Sequence, residues 1–438
     1  MSGKEKKRHV RELLAILCVA VFLAAGVWYL KDQREKRERD ASVSEESQKL
    51  QEQEEMTASS EMIQDSENQD REEQESQEQK SMVTPTAAPE TTAEPELTEE
   101  EKSGGVYRGI SWADSVGDQI IVCQMDAIEV KDAAGQTVRS FSDLGRLSRG
   151  SDTVYTNGFY VWYAAASEDG TTAVWQLDLE TGDKKAVLEL GERDTFVGVN
   201  SEYLYYIVPG ADEFENTLKA SRINDGTVLD ITDHVGEVTV LSDTVVTMGL
   251  RFDVSPTEMK VFSADGSNPV TVGSYVSNCQ VKDDRIYYLD YGSEEGYLPS
   301  DLKSCSLSGQ DIRVLAEDLY TIAVNPAGEN MVYFASEETG SGNSGTEYVL
   351  LNYETGEKKT VAEGGSYIQF LCSDGNRVYL GKENQIAVYD FAGGQMRENI
   401  ASAPENSYTA GGFLMDGTFY AVWQSSDNQV EVVPVEGV

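Results

Sequence analysis

The sequence predicts an all-β protein, an eight-bladed β-propeller carried behind one N-terminal transmembrane helix and a disordered stalk. Three observations lead there. A motif of polar turn residues, a β-branched residue and then aromatics recurs eight times, and it is most complete in the stretch Asp283 to Asp290, DDRIYYLD. Aligned on Tyr287, the equivalent positions are Ile121, Tyr160, Tyr205, Val246, Val332, Tyr379 and Tyr420, at successive intervals of 39, 45, 41, 41, 45, 47 and 41 residues. A period of that length marks a propeller or solenoid, whose repeats bury their faces only against neighbours. Secondly, each period holds four short apolar runs punctuated by turn residues, the plan of one propeller blade. Thirdly, composition changes sharply near residue 104, so the repeats form one folded unit.

Residues 1–12 read as a basic cytoplasmic tail. Leu13 to Leu30, LLAILCVAVFLAAGVWYL, is a run of 18 residues without a charge. At 1.5 Å per residue it covers a hydrocarbon core of about 30 Å. Trp28 and Tyr29 close it, where interfacial aromatics belong. A cleaved signal peptide is the competing reading, with Ala24-Ala25-Gly26 as its small-residue site, but the apolar run continues past it. Five Lys or Arg flank each end, so the positive-inside count ties. Because long C-terminal domains translocate readily, the expected orientation is N-terminus inside and propeller outside, in a single-pass plasma-membrane protein.

Residues 31–104 turn to Glu, Gln and Ser and then to Pro, Thr and Ala (TPTAAPETTAEPE), with too few large apolar residues to offset the entropy of ordering. No heptad seam runs through Leu50, Met56, Met62 and Ile63, which argues against a coiled coil. As a random coil this stalk spans about 45 Å root mean square.

Residues 105–438 form the propeller domain. They hold 21 Lys and Arg against 52 Asp and Glu, in a chain of net charge −42. That balance repels phosphate backbones, so nucleic-acid binding is excluded. In the sixth period the reading is an inner strand at Leu319 to Val324, a turn NPAGEN, and strands at Met331 to Ser336, Glu347 to Tyr353 and Lys358 to Ala362. The turn ETGEK there has a twin in ETGDK at Glu180 to Lys184, and Asp-Gly pairs at Asp225-Gly226 and Asp265-Gly266 take the same place, with glycine supplying positive φ. The aromatic second strands FYVWYA, YLYYIV, RIYYLD and MVYFAS are apolar on both faces, as strands between two blades must be. The last period shows three strands, and Val106 to Trp112 is expected to join it as its outer strand and close the ring. The motifs average about 43 residues apart, which favours eight blades over seven.

The D-G-x-x-I-Y-Y type of strand followed by a Gly turn and a short final strand resembles the secreted β-propellers of unknown function on bacterial surfaces, and more loosely the TolB-like propellers. QLDLETGDKK and LLNYETGEKK are also similar to blade motifs of quinoprotein-type propellers. That similarity implies a quinone cofactor, but Ala186 and Thr360 to Ala362 follow where those blades carry a docking Trp. The resemblance implies a fold and no particular reaction.

Catalytic constellations are missing from the sequence. His234, in the turn TDHVG, is the one histidine after residue 104, so neither a His-based triad nor a multi-His metal site can assemble. No G-x-S-x-G, Walker or H-E-x-x-H string occurs, and no cofactor, metal or catalytic residue is expected. Cys123, Cys279, Cys305 and Cys372 read as free thiols. The longest connections are Pro209 to Asn216, Arg251 to Glu258, Tyr291 to Asp301 and Glu338 to Glu347, all between second and third strands and so on one side of the ring. In them Phe214, Tyr291 and Tyr297 stand among Glu213, Glu215, Glu294, Glu295 and Asp301, giving stacking faces beside acceptors. These eight residues are the candidate ligand site. The expected function is a non-catalytic binding or scaffolding module for an envelope protein, peptide or glycan. The alternatives are a carboxylate-dependent glycan-active enzyme or a quinoprotein-like dehydrogenase.

Overall fold

A computed structural model describes residues 107–435, apart from 146, 148–153, 167–170, 211–214, 250–256, 283, 293–298, 322, 337–345, 364–367 and 383. The chain divides into two units, Met1–Ala93 and Glu94–Val438, and every described residue belongs to the second. The membrane run Leu13 to Leu30 and the stalk lie outside the described residues, among which no helix is long and apolar enough to cross a membrane.

Strand follows strand in antiparallel order throughout. After β1 (Arg108–Ile110), the first sheet runs β2 (Ala113–Val116), β3 (Gln119–Cys123), β4 (Ile128–Lys131) and β5 (Thr137–Phe141). The second holds β6 (Val154–Thr156), β7 (Tyr160–Ala166), β8 (Thr172–Asp178) and β9 (Lys184–Leu190), and the third β10 (Thr195–Val199), β11 (Tyr203–Val208), β12 (Thr217–Arg222) and β13 (Val228–Asp233). A seven-stranded sheet comes next: β14 (Val235–Val240), β15 (Thr244–Gly249), β16 (Thr257–Ser263), β17 (Val270–Lys282), β18 (Arg285–Asp290), β19 (Ser300–Ser306) and β20 (Arg313–Leu319). It is two four-stranded repeats sharing β17, whose 13 residues end one repeat and begin the next. Two four-stranded sheets follow, β21 (Val324–Gly328), β22 (Met331–Ser336), β23 (Glu347–Asn352) and β24 (Glu357–Glu363), then β25 (Ile368–Ser373), β26 (Arg377–Lys382), β27 (Gln385–Asp390) and β28 (Gln395–Ser402). β29 (Ser407–Met415), β30 (Thr418–Ser425) and β31 (Val430–Val435) make the last.

Every aligned motif position lies on the second strand of its repeat, and both faces of those strands are buried. One face packs back and the other forward. Tyr379 of β26 stacks on Phe419 of β30 with ring centroids 4.3 Å apart, while Val378 and Leu380 face Tyr333 and Leu350 of the preceding sheet. Each buried side chain of this kind contributes about 1.5–3 kcal/mol. Several motif tyrosines also tie their sheet to a turn of the next: Tyr205 donates to the carbonyl of Ala264 at 2.7 Å and Tyr420 to that of Ala133 at 2.6 Å. The last sheet packs on the first, with Phe413, Met415, Val422 and Val432 against Ile120 and Val122. The described residues therefore form a closed succession of face-packed antiparallel sheets, the arrangement of a β-propeller.

Two expectations need correction. The strand near Val106 to Trp112 does not complete the last sheet. β1 pairs instead with β6, Arg108 opposite Thr156 and Ile110 opposite Val154. Burial decides this: Ile110 is 1% exposed in the core between the first two sheets, with Leu144 and Leu147, and Tyr107 lies 5.4 Å from Trp162. The third strand of the last sheet is covered by its neighbour. The Gln124 side chain accepts from the Val430 amide and donates to its carbonyl, both at 2.9 Å, as an adjoining strand would. Pro434 has no amide to leave open on that edge. In the sixth period the inner strand is β21, not Leu319 to Val324, because Leu319 ends β20. The expected turn residues Asn325 to Gly328 pair with β22, and a register shift between Pro326 and Gly328 places the proline at a bulge on an edge strand, where a missing donor is tolerated.

Candidate binding face

Antiparallel order sends connections alternately to two sides, and the two sides differ. Turns between first and second strands and between third and fourth strands share one side and are tight. Asn200 accepts from the amides of Glu202 and Tyr203, Asp374 from those of Asn376 and Arg377, and Asp178 from those of Glu180 and Thr181. Gly182, Gly226, Gly266 and Gly356 adopt φ between 69° and 79° in the third-to-fourth turns, as their Asp-Gly and Thr-Gly sequences require. The second-to-third and sheet-to-sheet connections leave on the other side, and all the longer ones do so.

Of the eight nominated residues, Glu213, Phe214, Glu294, Glu295 and Tyr297 lie outside the described residues. The other three are placed on the long-connection side. Glu215 is exposed at the end of its connection, packed so closely on Gly210 that a Cβ there would come 2.4 Å from the Glu215 carbonyl oxygen. Tyr291 is half-buried: its hydroxyl lies 2.9 Å from that of Ser277, and its amide donates to Tyr275 at 2.9 Å. Asp301 is a strand residue of β19 rather than a loop residue, paired across from Asp290 and accepting from the Asp318 amide at 3.3 Å. Tyr291 and Asp301 thus share one end of β18 and β19, whereas Glu215 belongs to another sheet. Beside them Lys303 donates to Asp290 at 2.7 Å, with side chains 22% and 16% exposed.

Sequence reasoning missed the aromatics at the entrances of the inner strands. Tyr320 and Tyr408 are 39% and 49% exposed on this side, and Tyr275 is half-buried where β17 starts its second repeat. His234 is exposed there too, the single residue linking β13 to β14, with φ 59°. The available signal was register: all four stand twelve residues before their aligned positions.

Chemistry elsewhere is subdued. The four thiols are free, and burial pushes Cys123, Cys279 and Cys372 up to about 12 and Cys305 to about 11, which suppresses the nucleophilic thiolate. Cys279 on β17 and Cys305 on β19 are separated by β18. Near the ring axis Asp114 is raised from its ordinary value by burial, opposed by the Ser115 amide and by Arg108 at 4.0 Å. Among the described residues no group of three or more His, Cys, Asp or Glu is placed to hold a metal.

No protein-family model matches the chain, and no curated protein matches it. Solved structures do. The computationally designed Ika8 protein is 16% identical, with a TM-score of 0.49 over 76% of this chain and 97% of its own. AztD from Citrobacter koseri is 14% identical, TM-score 0.42, over 76% and 96%. The β-propeller domain of the Trilobed protease from Pyrococcus furiosus is 10% identical, TM-score 0.41, over 66% and 92%. Identities this low concern the fold alone.

Proposed function

We propose that this chain is a membrane-anchored, extracytoplasmic, eight-bladed β-propeller that binds or scaffolds an envelope protein, peptide or glycan on its long-connection side, without catalysis. One observation carries the reading. A single scaffold has one side of short, internally hydrogen-bonded turns and one side of long connections with exposed tyrosines, and recognition concentrates on loops held by rigid elements. The anchor is the reading of Leu13 to Leu30, and eight blades is the reading of eight aligned second strands with the seven-stranded sheet counted twice. The test is crosslinking of the full-length chain in intact cells, beside a variant whose Tyr291 to Pro299 and Glu338 to Thr346 connections are replaced by Gly-Ser turns. Partners lost in that variant, at unchanged thermal stability, support the reading. An identical set of crosslinked partners for both proteins overturns it.

A further inference from the structure

The exposed tyrosines Tyr320 and Tyr408 stand at a position that recurs in the sequence. Tyr275, Tyr320, Tyr367 and Tyr408 each stand twelve residues before the aligned positions Tyr287, Val332, Tyr379 and Tyr420, and His234 holds the same place before Val246. Tyr367 lies outside the described residues. In the structure Tyr275 and Tyr408 occupy matching registers. The Tyr275 carbonyl accepts from the Tyr291 amide just past β18, and the Tyr408 hydroxyl reaches Gln424 opposite it on β30, each partner four residues beyond the aligned position. Tyr320 enters β21 from the same side.

A recurring tyrosine in a propeller normally fills the core, as Tyr163, Tyr205, Tyr288 and Tyr379 do here, each with 1% exposure or less. Tyr320 and Tyr408 are the two exposed aromatic side chains among the described residues, and both are on the long-connection side. Core packing therefore does not account for their repetition. Inner strands of successive repeats adjoin one another around the axis, β17 beside β21, β21 beside β25 and β25 beside β29, so Tyr275 on β17, Tyr320 just before β21 and Tyr408 on β29 stand along an arc.

Charge decides what such an arc holds. Among the described residues the connections on this side contain seven Asp and Glu against one Arg and no Lys. The tight-turn side is acidic too, and on both sides carboxylates accept hydrogen bonds from their own turns, Asp132, Asp178, Asp225, Asp265 and Asp374 on the tight side and Asp194 and Asp427 on this one. We infer that the arc of Tyr275, Tyr320 and Tyr408 binds a cationic polypeptide segment, Lys or Arg side chains lying over the tyrosine faces with neighbouring carboxylates as counter-charges. An ammonium or guanidinium within about 6 Å of a ring centroid is attracted by the ring quadrupole, and the attraction grows as water is excluded. The same acidity repels phosphate-bearing and uronic polymers. This inference rests on the binding-module reading above and names the partner chemistry of that same side.

The experiment measures fluorescence anisotropy of a labelled alternating Lys-Gly peptide against the full-length chain, with a neutral N-acetylglucosamine oligosaccharide as second probe. Tyr320→Ala with Tyr408→Ala is expected to weaken peptide binding about tenfold. Tyr320→Phe with Tyr408→Phe, which keeps the rings, should stay within about twofold, and Glu354→Gln on the tight-turn side should change nothing. Peptide affinity indifferent to the alanine pair overturns the inference, because binding would then be diffuse charge attraction. Binding of the oligosaccharide alone also overturns it, while sustaining the wider binding reading. Binding of neither probe overturns it as well, and the connection-replacement crosslinking then decides separately whether this side binds anything.

Discussion

Between β13 and β14 the chain passes from one sheet to the next through a single residue, His234, and along β17 it passes with no connection at all. Between the last sheet and the first, by contrast, the contacts join positions about three hundred residues apart: Ser115 of β2 donates to Leu414 of β29 across a separation of 299, and Gln124 after β3 meets Val430 of β31 across 306. Covalent continuity holds the first kind of join for almost no entropy. Closing the second means fixing a very long loop before its contacts are gained. Contacts at the seam set the amide pair of Gln124 and the hydroxyls of Ser115 and Tyr420 beside apolar packing. At the continuous join packing is so close that Gly198 has room for no side chain, a Cβ there falling 2.3 Å from Val240 Cγ2. Both joins combine apolar packing with a tyrosine hydroxyl bond to a turn of the next sheet, and the seam adds the paired amide bonds of Gln124 where chain continuity is missing.

The largest expected effect lies beside the seam, where Ile110 anchors β1. Ile110→Asp places a carboxylate in a core position that is 1% exposed and should cost more than about 4 kcal/mol, measured by denaturant unfolding. A loss below about 1 kcal/mol would show that β1 is dispensable to the ring. Gly198→Ala should cost about 1–3 kcal/mol by overpacking the continuous join, with Val240→Ala in the same chain recovering much of it. Strict additivity of the two changes would contradict the close approach. Gln124→Ala should cost about 1–2 kcal/mol and speed hydrogen exchange at the Val430 amide more than at Leu218 in the third sheet. Equal acceleration at both amides would mean that the seam does not open locally.

Tyr420→Phe and Tyr205→Phe remove like hydroxyl-to-carbonyl bonds at the two joins, so each should lower stability by about 1 kcal/mol. Only Tyr420→Phe should raise exchange at Val430, and the reverse pattern would undo the contrast. The smallest effect is electrostatic. Burial raises Asp114 above its unfolded value, so between the two values the folded chain binds more protons than the unfolded one, and stability falls as pH rises through that window. Asp114→Asn should remove that slope and stabilise the protein modestly at neutral pH. An unchanged pH profile in that variant would assign the slope to other groups.

Much of the repeat architecture was legible because it is written in local terms. Aromatic second strands are apolar on both faces wherever Tyr205, Tyr287 and Tyr379 recur, and Asp-Gly or Thr-Gly turns mark each third-to-fourth hairpin. The place of Arg108 to Ile110 was not legible, since the same short run can pair with either of two edges. Nor was the inner strand at Val324, where Pro326 and Gly328 look like a turn until an edge position and a bulge accommodate them. For the candidate site, Tyr291 was named and placed on the expected side, but Asp301 proved to be a strand residue, and Tyr320 and Tyr408 went unnamed. A tyrosine in a β-rich repeat reads as core unless its register against the motif is compared, and exposure is a property of the assembled sheets.

By itself the sequence determined the all-β class, the repeat period, the second strands and turns, the acidity and the side on which long connections leave. Each of these depends on neighbours within a few residues or on composition, which the linear order contains. The tertiary structure decided that β1 joins β6, that Gln124 stands in for a strand at the seam, that Gly198 meets Val240 where two sheets join, and which tyrosines face solvent. Those outcomes depend on which surfaces, distant in sequence, bury the most apolar area together while leaving no backbone donor unpaired, a competition settled only when all the sheets are in place.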